Sequence, residues 1–350
     1  MYRSFIRPLL FRLKPETAHQ LTVALLRVAT ALPGVTGLLR RLYAVDDPRL
    51  KRELFGLHFA NPVGLAAGFD KDARLVDGMA ALGFGFVEIG TVTPFAQPGN
   101  PKPRMFRLPA DRSLINRLGF NNHGVSQAAR NLARRCSSVI VGGNIGKNKV
   151  TLNNHAPRDY ESCFRGLYDY VDYFTVNVSS PNTPDLRELQ EKEPLTELLR
   201  GLQELNQQQP HPKPILLKIA PDLSDGQLDD IVDICQSLGI DGIIATNTTV
   251  GRDGLATPDE RVTDAGAGGL SGQALRQRAT AVIRYLHQRS GGQLPIIGVG
   301  GVASPEDALE KLAAGASLVQ LYTGLVYEGP ALVKRINQAL AETPAQPVLS

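Results

Sequence analysis

The sequence predicts an α/β fold, a (β/α)8 TIM barrel with a small N-terminal helical segment. Three observations predict it. Eight short apolar runs lie between Val63 and Leu321. Helical patterns separate most of them, as in a parallel sheet whose strands are buried on both faces. A polar, cationic or glycine residue follows each run: Lys71, Thr91, Asn144, Asn177, Lys218, Thr246, Gly301 and Tyr322. Barrel enzymes carry their chemistry on that rim.

The first 45 residues read as short amphipathic helices. Pro15 and Glu16 suit a first helical turn. Ala18, Leu21, Leu25, Val28 and Leu32 then form one apolar stripe at three-to-four spacing, which Leu26 and Ala29 widen. Leu32-Pro33-Gly34 ends that helix, and Val35, Leu38, Leu39 and Leu42 begin another. Seven basic residues against one acid, Glu16, give this segment a surplus of six, although the whole chain is only +4. Flanking arginines with an apolar face suit an interfacial membrane anchor. The same pattern suits a helix pair packed on the main domain. Arg27 interrupts the longest apolar run, which argues against a spanning helix. Residues 46–60 read as a linker and a small hairpin around Gly56.

Strands are expected over 63–67, 86–89, 139–142, 173–176, 215–217, 242–245, 295–299 and 318–321. Helices are expected over 73–82, 125–133, 160–170, 195–208, 225–238, 273–288, 304–314 and 331–342. The largest insertion, about 93–124, follows the second strand. Residues 46–350 thus form one barrel domain. Cys136, Cys163 and Cys235 are scattered, which speaks for a reducing compartment and against zinc or a disulfide frame. No metal site is expected. There is no secretory signal.

Four clusters carry chemistry. Asn177-Val178-Ser179-Ser180-Pro181-Asn182-Thr183 is an uncharged loop rich in donors and acceptors, fit for a heterocycle with alternating C=O and N–H groups. It also fits an ordinary turn. Gly298-Val299-Gly300-Gly301-Val302-Ala303 matches a dinucleotide fingerprint, but the acid expected about 20 residues on is missing. A phosphate held between the loops after strands seven and eight suits it better. Tyr322-Thr323-Gly324 would close the other side, with Gly269-Leu270-Ser271-Gly272 adding backbone, and one phosphate favours FMN over NAD. Lys218 and Lys71 end apolar runs, so each should face an anion. Lys218 suits the charge of a reduced flavin and Lys71 a substrate carboxylate. Salt bridges of Lys71 to Asp70 or Asp72, and of Lys218 to Asp222, are the alternative. Asn116 to Asn122 is a second amide-rich loop, which joins Asn177, Asn182, Asn247 and Thr248 in offering groups for a cyclic imide.

Long motifs now carry a resemblance. Ala66 to Lys71, Glu88 to Pro94, Ile115 to Asn121, Asn144 to Lys149, Asn177 to Pro184 and Ala245 to Thr249 occur in the order seen in dihydroorotate dehydrogenases. Ser180 at the base position, and Pro15-Glu16-Thr17-Ala18-His19, resemble the quinone-dependent, membrane-associated class. The resemblance implies oxidation of dihydroorotate to orotate in pyrimidine synthesis, with Ser180 taking the C5 proton. It implies FMN contacts at Ala67, Gly68, Phe69, Asp70, Lys71, Thr91, Asn144, Asn177, Lys218, Thr246, Gly272, Gly301, Tyr322 and Thr323. Substrate contacts are implied at Lys71, Asn116, Arg117, Leu118, Gly119, Phe120, Asn177, Asn182, Asn247 and Thr248. A membrane quinone would enter near His19, Arg107 and Tyr322. The implied setting is peripheral, through residues 1–45, on the cytoplasmic face of a bacterial inner membrane, as a monomer. A tRNA uridine reductase is one rival, but the barrel is near neutral and offers no basic face for nucleic acid; a non-catalytic membrane-surface protein is another, but it would have no reason to carry polar residues at eight strand ends.

Overall fold

A computed structural model describes residues 2–343; residues 344–350, which the sequence assigns to the barrel domain, lie outside the described residues. Eight parallel strands close a barrel: Val63–Leu65, Phe86–Val92, Ile140–Ile145, Tyr173–Asn177, Ile215–Ile219, Gly242–Ala245, Ile296–Val299 and Leu318–Leu321. Each pairs with its neighbours in the chain. Val319 opposite Val63 and Leu321 opposite Leu65 join the last strand to the first.

The alternation of side chains explains how one barrel interior is apolar below and polar above. Phe86, Tyr173, Leu216, Ile244, Ile297 and Leu318 fill the lower interior, and Phe59 from the hairpin of Arg52–Leu54 and Leu57–Phe59 plugs the bottom. The Phe59 and Phe86 rings meet edge to face, 5.3 Å apart. Glycines make room for the large rings: a Cβ on Gly64 would fall 2.2 Å from the Phe86 ring, and one on Gly142 equally close to that of Tyr173. Two residues on along these strands, or four after Tyr173, stand Glu88, Asn144, Asn177, Lys218, Thr246 and Gln320, all buried. The strand residues of the other phase, such as Val87, Ile89, Val176, Leu217 and Val319, pack against the helical shell.

Three differences from the expected elements matter. Four strands run further than expected, so Thr91, Asn144, Asn177 and Lys218 lie within strands rather than beyond them. Their polar side chains cut the apolar runs short, yet their backbones stay in the ladder. The first helix is short, Val76–Ala81, because the chain from Gly68 to Leu75 wraps around Asp70. The Asp70 carboxylate accepts from the backbone N–H groups of Arg74 (2.8 Å) and Leu75 (2.7 Å). Finally, the long insertion is folded. Met105–Leu108 and Ser113–Asn116 form an antiparallel pair, and Gly269–Gly272 adds a third strand to it. This small sheet stands over the barrel mouth.

The N-terminal helices Pro15–Ala31 and Val35–Tyr43 lie against the barrel, but their apolar surface is divided. Val23, Leu26, Leu39 and Tyr43 pack on the core. Leu21, Leu25, Val28, Leu32, Leu38 and Leu42 face outward, between 41% and 65% exposed. The stripe read from the sequence is therefore the outer face, and only Ala18 of it is buried. No single helix among the described residues is long and apolar enough to cross a membrane. Tyr2 donates to the Val326 carbonyl at 2.7 Å, and the Arg3, Arg112 and Arg335 guanidinium groups share the buried Glu328 carboxylate. These contacts pin the first residues to the last part of the barrel.

Candidate active site

An open cavity lies at the carboxyl ends of the strands. Its floor is the polar layer of the barrel. Glu88 accepts from Asn144 Nδ2 (2.8 Å) and Gln320 Nε2 (2.7 Å). Asn144 Oδ1 accepts from Thr91 Oγ1 (2.5 Å) and from Asn177 Nδ2 (3.2 Å). Asn177 Oδ1 accepts from Ser179 Oγ (3.0 Å), and Asn247 Nδ2 donates to that same hydroxyl (2.9 Å). Four barrel strands and the loop after Gly242–Ala245 are tied together this way, so the amides at the floor are held in fixed orientations.

Lys218 rises from this floor. Its ammonium is 3.9 Å from Glu88, and burial pulls its pKa down while Glu88 pulls it up. The pairing with Asp222 does not form: Asp222 instead pairs with Arg187 at 2.8 Å. Lys71 makes no salt bridge to Asp70 or Asp72 either; its ammonium donates to Asn121. Burial, and then the Arg104 guanidinium, bring the Lys71 pKa down to about 7.

Most of the residues singled out in the sequence line this one cavity. They are Ala67, Gly68, Lys71, Thr91, Asn177, Ser180, Asn182, Lys218, Thr246, Asn247, Thr248, Gly272, Gly301, Tyr322 and Thr323, with Asn116, Leu118, Gly119 and Phe120 from the insertion. Ser180 is buried, its Oγ accepting from the Asn182 N–H at 3.3 Å. Thr183, three residues on, has a buried hydroxyl without a partner. Four of the named residues stand apart. Asn144 lies beneath the lining, bonded to Thr91 and Glu88. Arg117 turns outward, donating to the Ala265 carbonyl and covering the Phe106 ring. Phe69 and Asp70 line a second cavity instead, between the helix Pro15–Ala31 and the barrel.

His19 and Tyr322 also line that second cavity, and Phe69 meets both rings edge to face, at 4.9 and 5.5 Å. Arg107 does not. It donates to the Leu13 carbonyl at 2.8 Å and stacks on Phe11. Gly68, Lys71, Leu118 and Tyr322 border both cavities. Sequence reading gave Ser271 only a backbone role, whereas its hydroxyl bonds Thr323 at 2.8 Å, and it missed Gln320 and Glu88. The signal for the last two was present: each is a polar residue at an inward position of an otherwise apolar strand.

The family model for dihydroorotate dehydrogenase matches residues 49–343. The chain belongs to the dihydroorotate dehydrogenase family. A protein of Christiangramia forsetii named dihydroorotate dehydrogenase (quinone) is 58% identical over 342 residues, covering 98% of this chain and 99% of its own. One of Rhodococcus opacus with the same name is 51% identical over 97% of this chain and 94% of its own. Among solved structures, DHODH from Eimeria tenella in complex with ferulenol superposes with a TM-score of 0.84 at 36% identity, covering 93% of this chain and 90% of the other. Dihydroorotate dehydrogenases are oxidoreductases that use a flavin, and the barrel cavity of this chain supplies a polar floor for one. The matched segment begins at residue 49, so it includes every proposed cavity residue of the barrel and none of the N-terminal helices.

Proposed function

We propose that the chain oxidises (S)-dihydroorotate to orotate, with FMN as hydride acceptor and a membrane quinone as final electron acceptor, in de novo pyrimidine synthesis. One observation carries the reading: Ser180 and the amides of Asn116, Asn177, Asn182 and Asn247 converge with Lys71 on one cavity floored by Lys218. The cavity fits a flavin mononucleotide. Gln320 lines it and has a buried Oε1 without a partner. Gly300 and Gly301 have φ of +123° and +78°, and a Cβ on Gly301 would fall 2.4 Å from that of Arg276. Such backbone admits a phosphate closely. Gly272, Gly300, Gly301 and Thr323 would hold the phosphate, and Thr91, Asn177, Lys218 and Thr246 would bound the ring. When bound, FMN supplies a hydride acceptor.

The remaining tasks fall to the side chains. Lys71 holds the substrate carboxylate, and the amides match the cyclic imide. Ser180 receives the proton from C5. Residues 1–45 form the quinone and membrane segment, with residues 46–350 as the catalytic barrel. The relatives named as quinone enzymes support the acceptor, and the outward leucines of the hairpin support peripheral attachment to a bacterial inner membrane. Anaerobic addition of dihydroorotate to the yellow holoprotein tests the whole reading: the flavin absorbance should bleach. A protein that carries flavin yet does not bleach has another substrate, and a tRNA uridine reductase is the alternative to assay.

Two further outcomes follow. With the Lys71 pKa near 7, much of its side chain is the neutral amine at pH 8. A bound carboxylate favours its charged form. Orotate binding at pH 8 should therefore take up protons, seen by calorimetry in buffers of different ionisation enthalpy. A heat independent of buffer would mean that Lys71 is already charged. A chain starting near Asp46 should still bleach with dihydroorotate, provided that it is soluble and loaded with flavin. Its turnover with a long-tailed quinone should fall sharply, and its binding to anionic vesicles should be lost, since each basic residue there adds on the order of 1 kcal/mol. Undiminished co-sedimentation and turnover would make the hairpin a packed cap.

A further inference from the structure

The second barrel strand, Phe86–Val92, carries a carboxylate that borders neither cavity. We propose that Glu88 is a positioning residue: its negative charge, paired with Lys218 beneath the site, sets the redox potential of the flavin bound above. The inference rests on the reading that the flavin lies against Lys218.

Glu88 has no exposure to solvent. A carboxylate in such a place is costly unless every lone pair is used and a cation is near. Here both oxygens accept hydrogen bonds and a cation is near. The groups around it are donors: Asn144 Nδ2 at 2.8 Å, Gln320 Nε2 at 2.7 Å and the Tyr173 hydroxyl at 3.4 Å. The Lys218 ammonium at 3.9 Å is the cation within reach.

The carboxylate also decides which way two amides point. Asn144 must turn Nδ2 toward it, which leaves Oδ1 to receive Thr91 and Asn177. Gln320 must do the same, which leaves its Oε1 without a partner in a residue that lines the cavity. A single charge thus sets the electrical sign of the floor in three places. It offsets Lys218 and fixes two amide dipoles. In a low-dielectric site such fixed charges act strongly on charge that develops nearby. A carboxylate that merely tied the strands together would have no such effect on a potential.

The midpoint potential of the flavin is the readout, measured at pH 6.5 on flavin-loaded parent, Glu88→Gln, Lys218→Met and the double variant. Glu88→Gln keeps the shape and removes the charge. It should favour the reduced flavin at least about tenfold, which is a rise of about 30 mV for two electrons. Lys218→Met should shift the potential the other way. Removing both charges should return it most of the way to the parent value. Opposite shifts that cancel cannot come from loosened packing. An unchanged or lowered potential in Glu88→Gln, or a double variant that fails to return, overturns the proposal. An unchanged potential in Lys218→Met instead overturns the placement of the flavin against Lys218. Should Glu88→Gln fail to hold flavin, Glu88→Asp decides, because it keeps the charge. A loaded protein within about threefold of the parent ratio, about 15 mV, upholds the role of the charge. An unloaded or further shifted one ends it.

Discussion

Ser180→Ala should fold, keep its flavin and bind orotate, yet pass electrons from dihydroorotate to the flavin at least about 100-fold more slowly, the low end for a lost acid–base group. The substitution removes one buried oxygen whose protein partner is a single N–H at 3.3 Å, so little structure depends on it. The chemical loss is larger. A serine hydroxyl is a weak base at neutral pH, so it can take a proton from carbon only while passing its own onward. Thr183 is the neighbouring hydroxyl, buried and without a partner. Ser180→Cys should retain some activity, and that activity should rise with pH as the thiolate fraction grows. Anaerobic rapid mixing reads the flavin reduction step alone. A parental rate in Ser180→Ala would move the base elsewhere in the cavity.

Lys218→Ala should be the most damaging change at the floor, because two effects add. The proposed flavin loses the cation that favours its reduced form, so the midpoint potential should fall or the cofactor should be lost. Independently of any flavin, Glu88 is left as a buried charge without its cation. Breaking one side of a buried pair costs on the order of 3–5 kcal/mol. The melting temperature of the apoprotein should therefore drop as well, whereas Ser180→Ala should leave it almost unchanged. A fully flavinated Lys218→Ala protein with the parental potential would remove Lys218 from this role.

The barrel was legible because its strands are buried on both faces, which leaves short apolar runs with few alternative structures. The strands at 242–245 and 318–321 and the helix at 225–238 coincide with the observed elements for that reason. Capping helped the helix: Ser224 and Gln227 form a reciprocal cap at its start, and Gly239 ends it in the left-handed region. Most cavity residues were legible too, since glycines, amides and lysines at strand ends have few structural uses. What the sequence hid were contacts between distant segments. Gly269–Gly272 looks like a loop until Ser113–Asn116 pairs with it. Arg117 sits amid cavity-lining neighbours, and only the three-dimensional neighbour Ala265 reveals that it faces outward. Glu88 reads as one acid in an apolar strand until Lys218, Asn144 and Gln320 arrive from three other strands.

The seam between the beginning and the end of the chain bears on how the protein is made. The first residues, Tyr2, Arg3 and Arg7, are seated by Val326, Tyr327 and Glu328, and the barrel on which the amphipathic hairpin packs closes only when Leu318–Leu321 reaches Val63–Leu65. Ribosomes add about 5–20 residues per second. The amphipathic hairpin thus leaves the ribosome some tens of seconds before the closed barrel exists. During that interval Val23 and Leu26 are as uncovered as Leu25 and Val28, and the nascent hairpin is more apolar than the finished one. Whatever meets it then, whether chaperone or bilayer, meets both faces at once. The order of synthesis therefore leaves both faces of the hairpin open early, and completion of the barrel covers one of them.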